Sequence, residues 1–122
     1  GIALNNLIII KELKTTYMFL TREDLKMCNF KKGDSEGIVN YGLTLKNIIF
    51  SVIFIEDIEH ENKIKISFRS HGSFSCNEFA KKYFNGGGHT NAAGGFHKGP
   101  INEVINKFTK SINNYKVKLT EK

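Results

Sequence analysis

Residues 84–96 read FNGGGHTNAAGGF, with three consecutive glycines directly before a histidine. Glycine loses more conformational freedom on folding than any other residue, so three in a row need a physical reason. A turn with positive φ angles is one reason, and close approach of the backbone to a ligand is another. Because no Cβ atoms intervene, the N–H groups of Gly86, Gly87 and Gly88 can converge on a single anion. The stretch therefore predicts a phosphate-binding loop.

The residues after the glycines strengthen this prediction. Residues 89–93 are compact and suit the first turn of a short helix, whose N–H groups and dipole would point toward the same anion. His89 at that junction would donate a hydrogen bond to a phosphate oxygen. The stretch has neither the Gly-Lys-Ser/Thr of an ATPase phosphate loop nor a dinucleotide-binding fingerprint. The alternative is a helix end followed by a glycine hinge, with His89 simply exposed at the surface.

A second candidate for anion binding lies upstream, where residues 63–70 read KIKISFRS. Apolar and polar residues alternate there with the period of a half-buried strand, and the apolar positions are Ile64, Ile66 and Phe68. Arg69 then projects to the opposite face at the end of the strand, where its planar guanidinium suits phosphate oxygens. Ser70 would add a hydroxyl and His71 an imidazole. An ordinary exposed arginine at the end of a strand is the alternative.

The rest of the chain alternates between strand and helix patterns. Further strands are predicted at 8–10, 15–20 and 47–56 and through Phe96, and helices are predicted from Thr21, from an Asp34 cap, over 77–84 and after Pro100. Segments 47–56 and 63–70 are expected to pair antiparallel through a turn near 60–62. This order predicts an α/β (α+β) fold, a single domain with a central mixed sheet of about five strands flanked by helices.

Length and charge restrict the classes of function. The chain has 122 residues, enough for one domain, and a net charge of +6, which favours nucleic acid or nucleotides as partners. A biased genome composition is the alternative explanation of the many lysines. No apolar run approaches the roughly 20 residues of a membrane span, and no secretory signal is evident, so we expect a cytoplasmic protein. Cys28 and Cys76 lie in apolar surroundings and are predicted to be buried free thiols.

Taken together, these segments resemble a known family. GGGHTNAAGGF, with SFRSHG upstream, is similar to the C-terminal domain associated with DHH phosphoesterases. LTREDL, KGDSEGIVN, KISFRS and FNGGGHTNAAGGF follow in the order seen in bacterial oligoribonucleases of the nanoRNase type, which also remove phosphate from 3′-phosphoadenosine 5′-phosphate. The likeness covers residues 15–112. It implies a linker or the end of a preceding lobe at 1–14, a substrate-binding domain at 15–115 and a tail at 116–122.

The resemblance also implies what this chain lacks and what it binds. Family members carry a preceding lobe with paired divalent metals, usually manganese, held partly by an Asp-His-His motif. No such run occurs in the 122 residues, so the chain is expected to be inactive alone and to work with an N-terminal lobe of the same parent protein. The expected substrate is short RNA or a nucleotide phosphate, and a homodimer of the parent is left open.

Mapped onto this chain, the family's substrate contacts fall on Arg69, Ser70, His71, Gly86, Gly87, Gly88, His89, Asn91 and Ala92. Thr90 and His71 stand where the family often has a basic residue, which affects the expected specificity. Asp34 and Glu36 are better explained as a helix start than as metal ligands. A non-catalytic nucleic-acid-binding module, like the appendage of alanyl-tRNA synthetase, is the alternative function. Its stacking aromatics would be Tyr83, Phe84 and Phe96, although packing in the core is the favoured role for all three.

Overall fold

Six strands form one mixed β-sheet in the computed structural model, which describes residues 2–31 and 33–121. The strands are β1 (Ile8–Ile10), β2 (Thr15–Leu20), β3 (Phe50–Glu56), β4 (Lys63–Ser70), β5 (Gly87–Gly88) and β6 (Ala92–Lys98). They lie in the order β1-β2-β3-β4-β6-β5, with β2 and β3 parallel and the other neighbours antiparallel. The predicted α/β class and mixed sheet are confirmed, with six strands instead of about five. Gly1, Lys32 and Lys122, from the predicted linker, loop and tail, lie outside the described residues.

Helices connect the strands and cover both faces of the sheet. They are α1 (Ile2–Asn5), α2 (Arg22–Met27), α3 (Asp34–Leu43), α4 (Cys76–Tyr83), α5 (Ile101–Ile112) and α6 (Lys116–Thr120). The parallel pairing of β2 with β3 needs a crossover connection, and α2 and α3 supply it. The antiparallel β3–β4 pair follows directly through the turn predicted near residues 60–62.

Side-chain caps start two helices where the sequence predicts them. The Thr21 hydroxyl accepts a hydrogen bond from the Asp24 N–H at 3.1 Å, and the Asp24 carboxylate accepts one from the Thr21 N–H at 2.9 Å. This reciprocal arrangement is a capping box, which satisfies two otherwise unpaired donors. At α4, the Ser75 hydroxyl accepts from the Glu78 N–H at 3.1 Å. Both predicted helix starts are confirmed.

The predicted N-cap of α3 was wrong by one residue, and the predicted start of β3 was wrong by three. Gly33, not Asp34, is the N-cap of α3, with a φ of 104° that favours glycine. The Asp34 carboxylate instead accepts a hydrogen bond from the Lys31 N–H at 2.8 Å, which closes the preceding turn. Strand β3 begins at Phe50 and not at Asn47, because Asn47 has a φ of 64° and belongs to a turn.

The larger core lies between one face of the sheet and helices α4, α5 and α6. Its fully buried aromatic residues are Phe50, Phe54, Phe68, Phe79, Phe84 and Phe108. The Phe108 ring, on α5, lies 5.7 Å from that of Tyr17 and 5.3 Å from that of Phe54, both edge-on. Burial of one such side chain stabilises the fold by about 1.5–3 kcal/mol, so this aromatic cluster carries much of the stability.

A smaller core covers the β2–β3 half of the opposite face. Met18 and Ile53 are fully buried there under Val39 of α3. The Ser51 hydroxyl donates to the Val39 carbonyl at 2.7 Å, which holds α3 close to β3. Helix α3 also contacts β4, so this face is half-buried along most of β4 and becomes mostly exposed on β6.

The segments predicted as linker and tail both contact the larger core. Ile10 of β1 packs against it, and Leu13 is 2% exposed. Leu119 of α6 is 1% exposed and belongs to the same cluster. The boundaries of the domain within its parent protein stay a prediction.

Both cysteines are free thiols, as predicted, but only one of them is buried. Cys76 at the start of α4 is fully buried, whereas Cys28 is exposed after the last turn of α2. The prediction for Cys28 was wrong because its apolar neighbour Leu25 turns inward while Cys28 lies on the outer side of a short helix end. Within the described residues, no helix has the length and apolar character to cross a membrane.

Candidate functional site

Strand register places Arg69 next to the glycine-rich segment. Arg69 of β4 lies opposite Ala92 of β6 on one side and opposite Ser51 of β3 on the other. Ala92 in turn accepts a hydrogen bond from the His89 N–H at 2.7 Å. The backbones of Arg69 and His89 therefore flank Ala92, about 10 Å apart at the usual strand spacing. The two segments singled out in the sequence meet at one end of the sheet.

Arg69 lies on the face that the alternation of β4 predicts. Ile64, Ile66 and Phe68 are buried, while Arg69 is half-buried on the other face. One guanidinium nitrogen, Nη1, donates to the Phe68 carbonyl at 2.9 Å, which leaves most of its donors unused. The described residues place no carboxylate within 4.0 Å of this guanidinium. The positive charge of Arg69 is therefore not neutralised inside the described part of the domain.

The glycine run forms a β-hairpin, so the prediction of a short helix over 89–93 was wrong. Gly87 pairs with Gly94 and Gly88 pairs with Ala93, which makes β5 the edge strand of the sheet. Residues 89–91 form the turn between β5 and β6. A hairpin forms here instead of a helix because Ala92 pairs with Arg69 in the sheet and its carbonyl accepts a hydrogen bond from the His89 N–H on the other side.

Two of the three amide groups in the glycine run have partners within the chain. The Gly86 N–H donates to the Ala80 carbonyl at 3.2 Å, and the Gly88 N–H donates to the Asn77 side-chain oxygen at 2.9 Å. The predicted convergence of these N–H groups on one anion was therefore wrong. An anion at this end of the sheet would be held mainly by side chains, of which Arg69 and the exposed His89 are nearest in the strand register.

Close contact between backbones explains the glycines. A Cβ atom on Gly86 would overlap the Gly94 carbonyl oxygen, and one on Gly95 would lie 2.6 Å from the Phe84 carbonyl oxygen. Gly88, with a φ of 155°, would place a Cβ atom 2.7 Å from the Ala92 carbonyl oxygen. The missing side chains thus let β5 and the end of α4 lie directly against β6.

A hydrogen-bond network built on Ser70 fixes this turn beside Arg69. Ser70 is 4% exposed, and its hydroxyl contacts the Phe74 carbonyl at 2.7 Å and the Thr90 carbonyl at 3.2 Å. The same oxygen accepts a hydrogen bond from the Asn91 side-chain amide at 3.0 Å, and that amide also donates to the Gly72 carbonyl at 3.0 Å. Ser70 and Asn91 therefore point at each other and position the turn.

His71 is turned toward a different element. Its backbone N–H donates to the Ile49 carbonyl at 2.9 Å, and its Nε2 atom lies 3.0 Å from the carbonyl oxygen of Leu43 at the end of α3. His71 is exposed and joins the loop after β4 to α3. Contact of His71 with a substrate stays a prediction, as do the other substrate contacts predicted from the sequence.

Cys76 lies beneath this end of the sheet and contributes no reactive thiol. Burial raises the pKa of Cys76 to about 11, against the opposing effects of the Ser70 hydroxyl and the Arg69 charge. Its backbone N–H donates to the Thr90 carbonyl at 2.7 Å. Cys76 therefore supports the turn through its backbone and packing.

The face that carries Arg69 extends along β4 and β6 as a row of cross-strand pairs. From the glycine turn outward the pairs are Arg69 with Ala92, Ser67 with Gly94, Lys65 with Phe96 and Lys63 with Lys98. On β6 the last three of these residues are exposed. The sequence analysis identified neither this row nor the hydrogen bond from the Gly88 N–H to the Asn77 side-chain oxygen. Alternation in residues 92–98 is the signal for the β6 side of the row, but it was missed because the glycine at 94 hides the strand pattern.

The surface of the described residues contains several grooves. One of about 490 Å³ is mostly apolar and lies among α1, α2 and α3. Another of about 500 Å³ lies at the far end of the row and is lined by His60, Glu61, Asn62, Lys63, Phe96 and Lys98. In the parts of the chain described by the structure, no three His, Cys, Asp or Glu side chains are grouped to hold a metal ion.

Comparison with known proteins identifies relatives of the whole domain. The family model described as the DHHA1 domain matches residues 14–118. The chain is also similar to the crystal structure of an exopolyphosphatase-related protein from Bacteroides fragilis, with 42% sequence identity and a TM-score of 0.90. That match covers 98% of this chain and 34% of the other, so the chain spans about a third of its relative's length.

More distant structures share the fold. A pGpG-specific phosphodiesterase from Vibrio cholerae matches with 16% identity and a TM-score of 0.62, over 93% of this chain and 36% of that one. An uncharacterized protein from Helicobacter pylori G27 matches with 18% identity and a TM-score of 0.51, over 92% of this chain and 29% of that one. A search of curated protein sequences finds no match.

Proposed function

We propose, since the chain belongs to the DHHA1 domain family, that it is the substrate-binding domain of a metal-dependent phosphoesterase. The parent protein would hydrolyse short oligoribonucleotides, 3′-phosphoadenosine 5′-phosphate or both. This chain would hold the substrate's phosphate while a preceding lobe performs the chemistry. The 42% identity to an exopolyphosphatase-related protein supports a phosphoesterase as the parent.

The observation that carries the proposal is the half-buried charge of Arg69. A guanidinium stays protonated at any physiological pH and costs free energy to hold away from water without a counter-ion. No carboxylate of the described residues neutralises it, and it lies beside a turn that Ser70 and Asn91 hold in place. A phosphate group is the external anion whose geometry suits a guanidinium best.

Arg69 and His89 would neutralise and orient the substrate. Phosphoryl transfer depends chiefly on positioning and on stabilising charge, so a domain without catalytic groups still accelerates the reaction. Manganese would supply an activated water and further charge stabilisation when bound to the preceding lobe. We assign this chain only the binding of the substrate.

Binding of a short oligoribonucleotide tests the proposal. The chain has two arginines, and Arg22→Ala removes the same charge as Arg69→Ala but at the start of α2, near the opposite end of β3. Loss of a charge-assisted hydrogen bond of about 1.5–3 kcal/mol should weaken binding roughly 10- to 150-fold in Arg69→Ala. The slope of log K against log salt should also fall by about 1. Arg22→Ala should bind nearly as wild type does.

Two results would overturn the proposal. One is equal affinity of Arg69→Ala and wild type, and the other is an equal loss in Arg22→Ala, which would show nonspecific attraction by net charge. Hydrolysis should require the preceding lobe together with manganese. A non-catalytic nucleic-acid-binding module, the alternative, would bind the same probe but show no hydrolysis in its parent protein.

A further inference from the structure

We propose that the β4–β6 face is a track for a linear oligonucleotide, with one base stacked on Phe96 two cross-strand pairs away from the phosphate at Arg69. The inference rests on the proposed function and narrows it. It makes an oligonucleotide of at least three nucleotides the preferred ligand of the whole face, whereas a single nucleotide bisphosphate would use only the Arg69 end.

Exposure distinguishes Phe96 from the other two aromatic residues in this part of the chain. Phe84 is fully buried, and Tyr83 is half-buried with its ring 5.0 Å from that of Phe79. Phe96 is 37% exposed although it lies within a strand. An exposed ring beside basic residues is the usual platform on which single-stranded nucleic acid stacks its bases.

The spacing along the strands determines the length of the ligand. Arg69 pairs with Ala92, and Phe96 pairs with Lys65 four residues further along β4. Four residues of antiparallel strand span about 14 Å. A phosphate held at Arg69 and a base on Phe96 therefore belong to different nucleotides, separated along an extended strand.

Small side chains leave room for a chain between the two ends. The intervening pair is Ser67 with Gly94, and Gly94 is exposed. A Cβ atom on Gly94 would contact only the Ile66 carbonyl oxygen, at 3.5 Å, so the surface above it is open. Because no large side chain protrudes at this pair, a sugar–phosphate backbone can lie close to the sheet.

The far end of the track carries positive charge and a groove. The groove of about 500 Å³ beside Phe96 is lined by Lys63 and Lys98, with Glu61 as the opposing charge. Lys65 lies on the same face, although its Nζ atom is 3.9 Å from an Asp57 carboxylate oxygen. Lysines around a stacking ring attract phosphates on either side of the stacked base.

Length dependence of binding tests the inference. The 122-residue chain would be titrated with dye-labelled oligoribonucleotides of two, three and five nucleotides, with unlabelled 3′-phosphoadenosine 5′-phosphate as a competitor. Phe96→Ala should weaken binding of the five-nucleotide probe about 5- to 150-fold, the effect of losing one base–aromatic stack. It should leave the affinity for the nucleotide bisphosphate unchanged. Phe96→Tyr, which keeps a ring, should restore the affinity, and Phe96→Leu should not.

Each other outcome rejects a specific part of the argument. If Arg69→Ala weakens binding of the probe and Phe96→Ala does not, the track is wrong and the proposed function stands. If neither variant weakens binding, or the probe does not bind at all, the proposed function fails first. If Phe96→Ala weakens binding of the bisphosphate as much as that of the probe, Phe96 acts at the same end as Arg69, or the fold is disturbed, and the inference is overturned. A five-nucleotide probe that is abasic throughout should bind wild type and Phe96→Ala equally.

Discussion

Substitution of two adjacent glycines on β6 tests the proposed packing of the sheet. Gly95 faces the larger core, where a Cβ atom would lie 2.6 Å from the Phe84 carbonyl oxygen and 3.1 Å from the Phe84 Cβ atom. That oxygen cannot move freely, because it accepts a hydrogen bond from the Phe96 N–H at 2.9 Å. Gly94 faces the open side, and its nearest contact would be the Ile66 carbonyl oxygen at an ordinary 3.5 Å.

The two substitutions differ only in their effect on the folded state. Glycine to alanine stabilises a protein by about 0.4–1 kcal/mol through the unfolded chain wherever the native backbone accepts alanine, and this gain is the same at both positions. Overpacking in Gly95→Ala costs about 1–3 kcal/mol. We therefore expect Gly95→Ala to have a free energy of unfolding about 1–3 kcal/mol lower than that of Gly94→Ala.

Urea unfolding followed by far-UV circular dichroism measures this difference, since the chain has no tryptophan for fluorescence. With a urea m-value of about 1–3 kcal/mol/M, the two midpoints should differ by roughly 0.3–3 M, and Gly94→Ala should unfold at or above the wild-type midpoint. Equal midpoints for the two variants would refute the reasoning, because they would show that Gly95 does not approach the end of α4.

Three further predictions concern individual side chains. A thiol reagent at neutral pH should modify Cys28 and leave Cys76 unmodified until the protein unfolds, because Cys76 is buried and its pKa is raised to about 11; modification of both in the native state would contradict this. A hydrogen bond from the Glu59 N–H holds the pKa of the Asp57 carboxyl below its usual value. The ionised carboxylate therefore stabilises the folded state at any pH above the usual carboxyl range. This stability is lost as the pH falls through the lowered pKa. Asp57→Asn should therefore flatten the acid side of a plot of stability against pH, and an unchanged plot would count against the role of this bond. Ser70→Ala should lower the free energy of unfolding by about 1–3 kcal/mol, because it leaves buried polar groups unpaired, and a neutral effect would show that water replaces the hydroxyl.

Strand and cap patterns were predictable from sequence because they depend on neighbouring residues. The alternation in residues 63–70 identified β4 and the face of Arg69, and both are confirmed. The Thr21 and Ser75 caps followed from a hydroxyl residue placed three positions before an acidic one. These signals need no knowledge of the rest of the fold.

The glycine run was misjudged for the opposite reason. A missing Cβ atom serves a ligand and a neighbouring backbone equally well, and the sequence does not say which of them is present. In the structure the neighbours of Gly86 and Gly95 are the Gly94 and Phe84 carbonyl groups. A strand pairing that closes only in the folded state brings these groups together.

The sequence alone therefore determined the family, the alternating strand that carries Arg69 and the presence of an unusual glycine turn. Tertiary structure decided that this turn lies beside Arg69, that Ser70 and Asn91 bond to each other, and that Phe96 remains exposed while Phe84 is buried. Periodicity reports which way a side chain points relative to its own strand. Which residues become its neighbours depends on the pairing of strands some 20 residues apart, since that pairing is set by packing of the whole core.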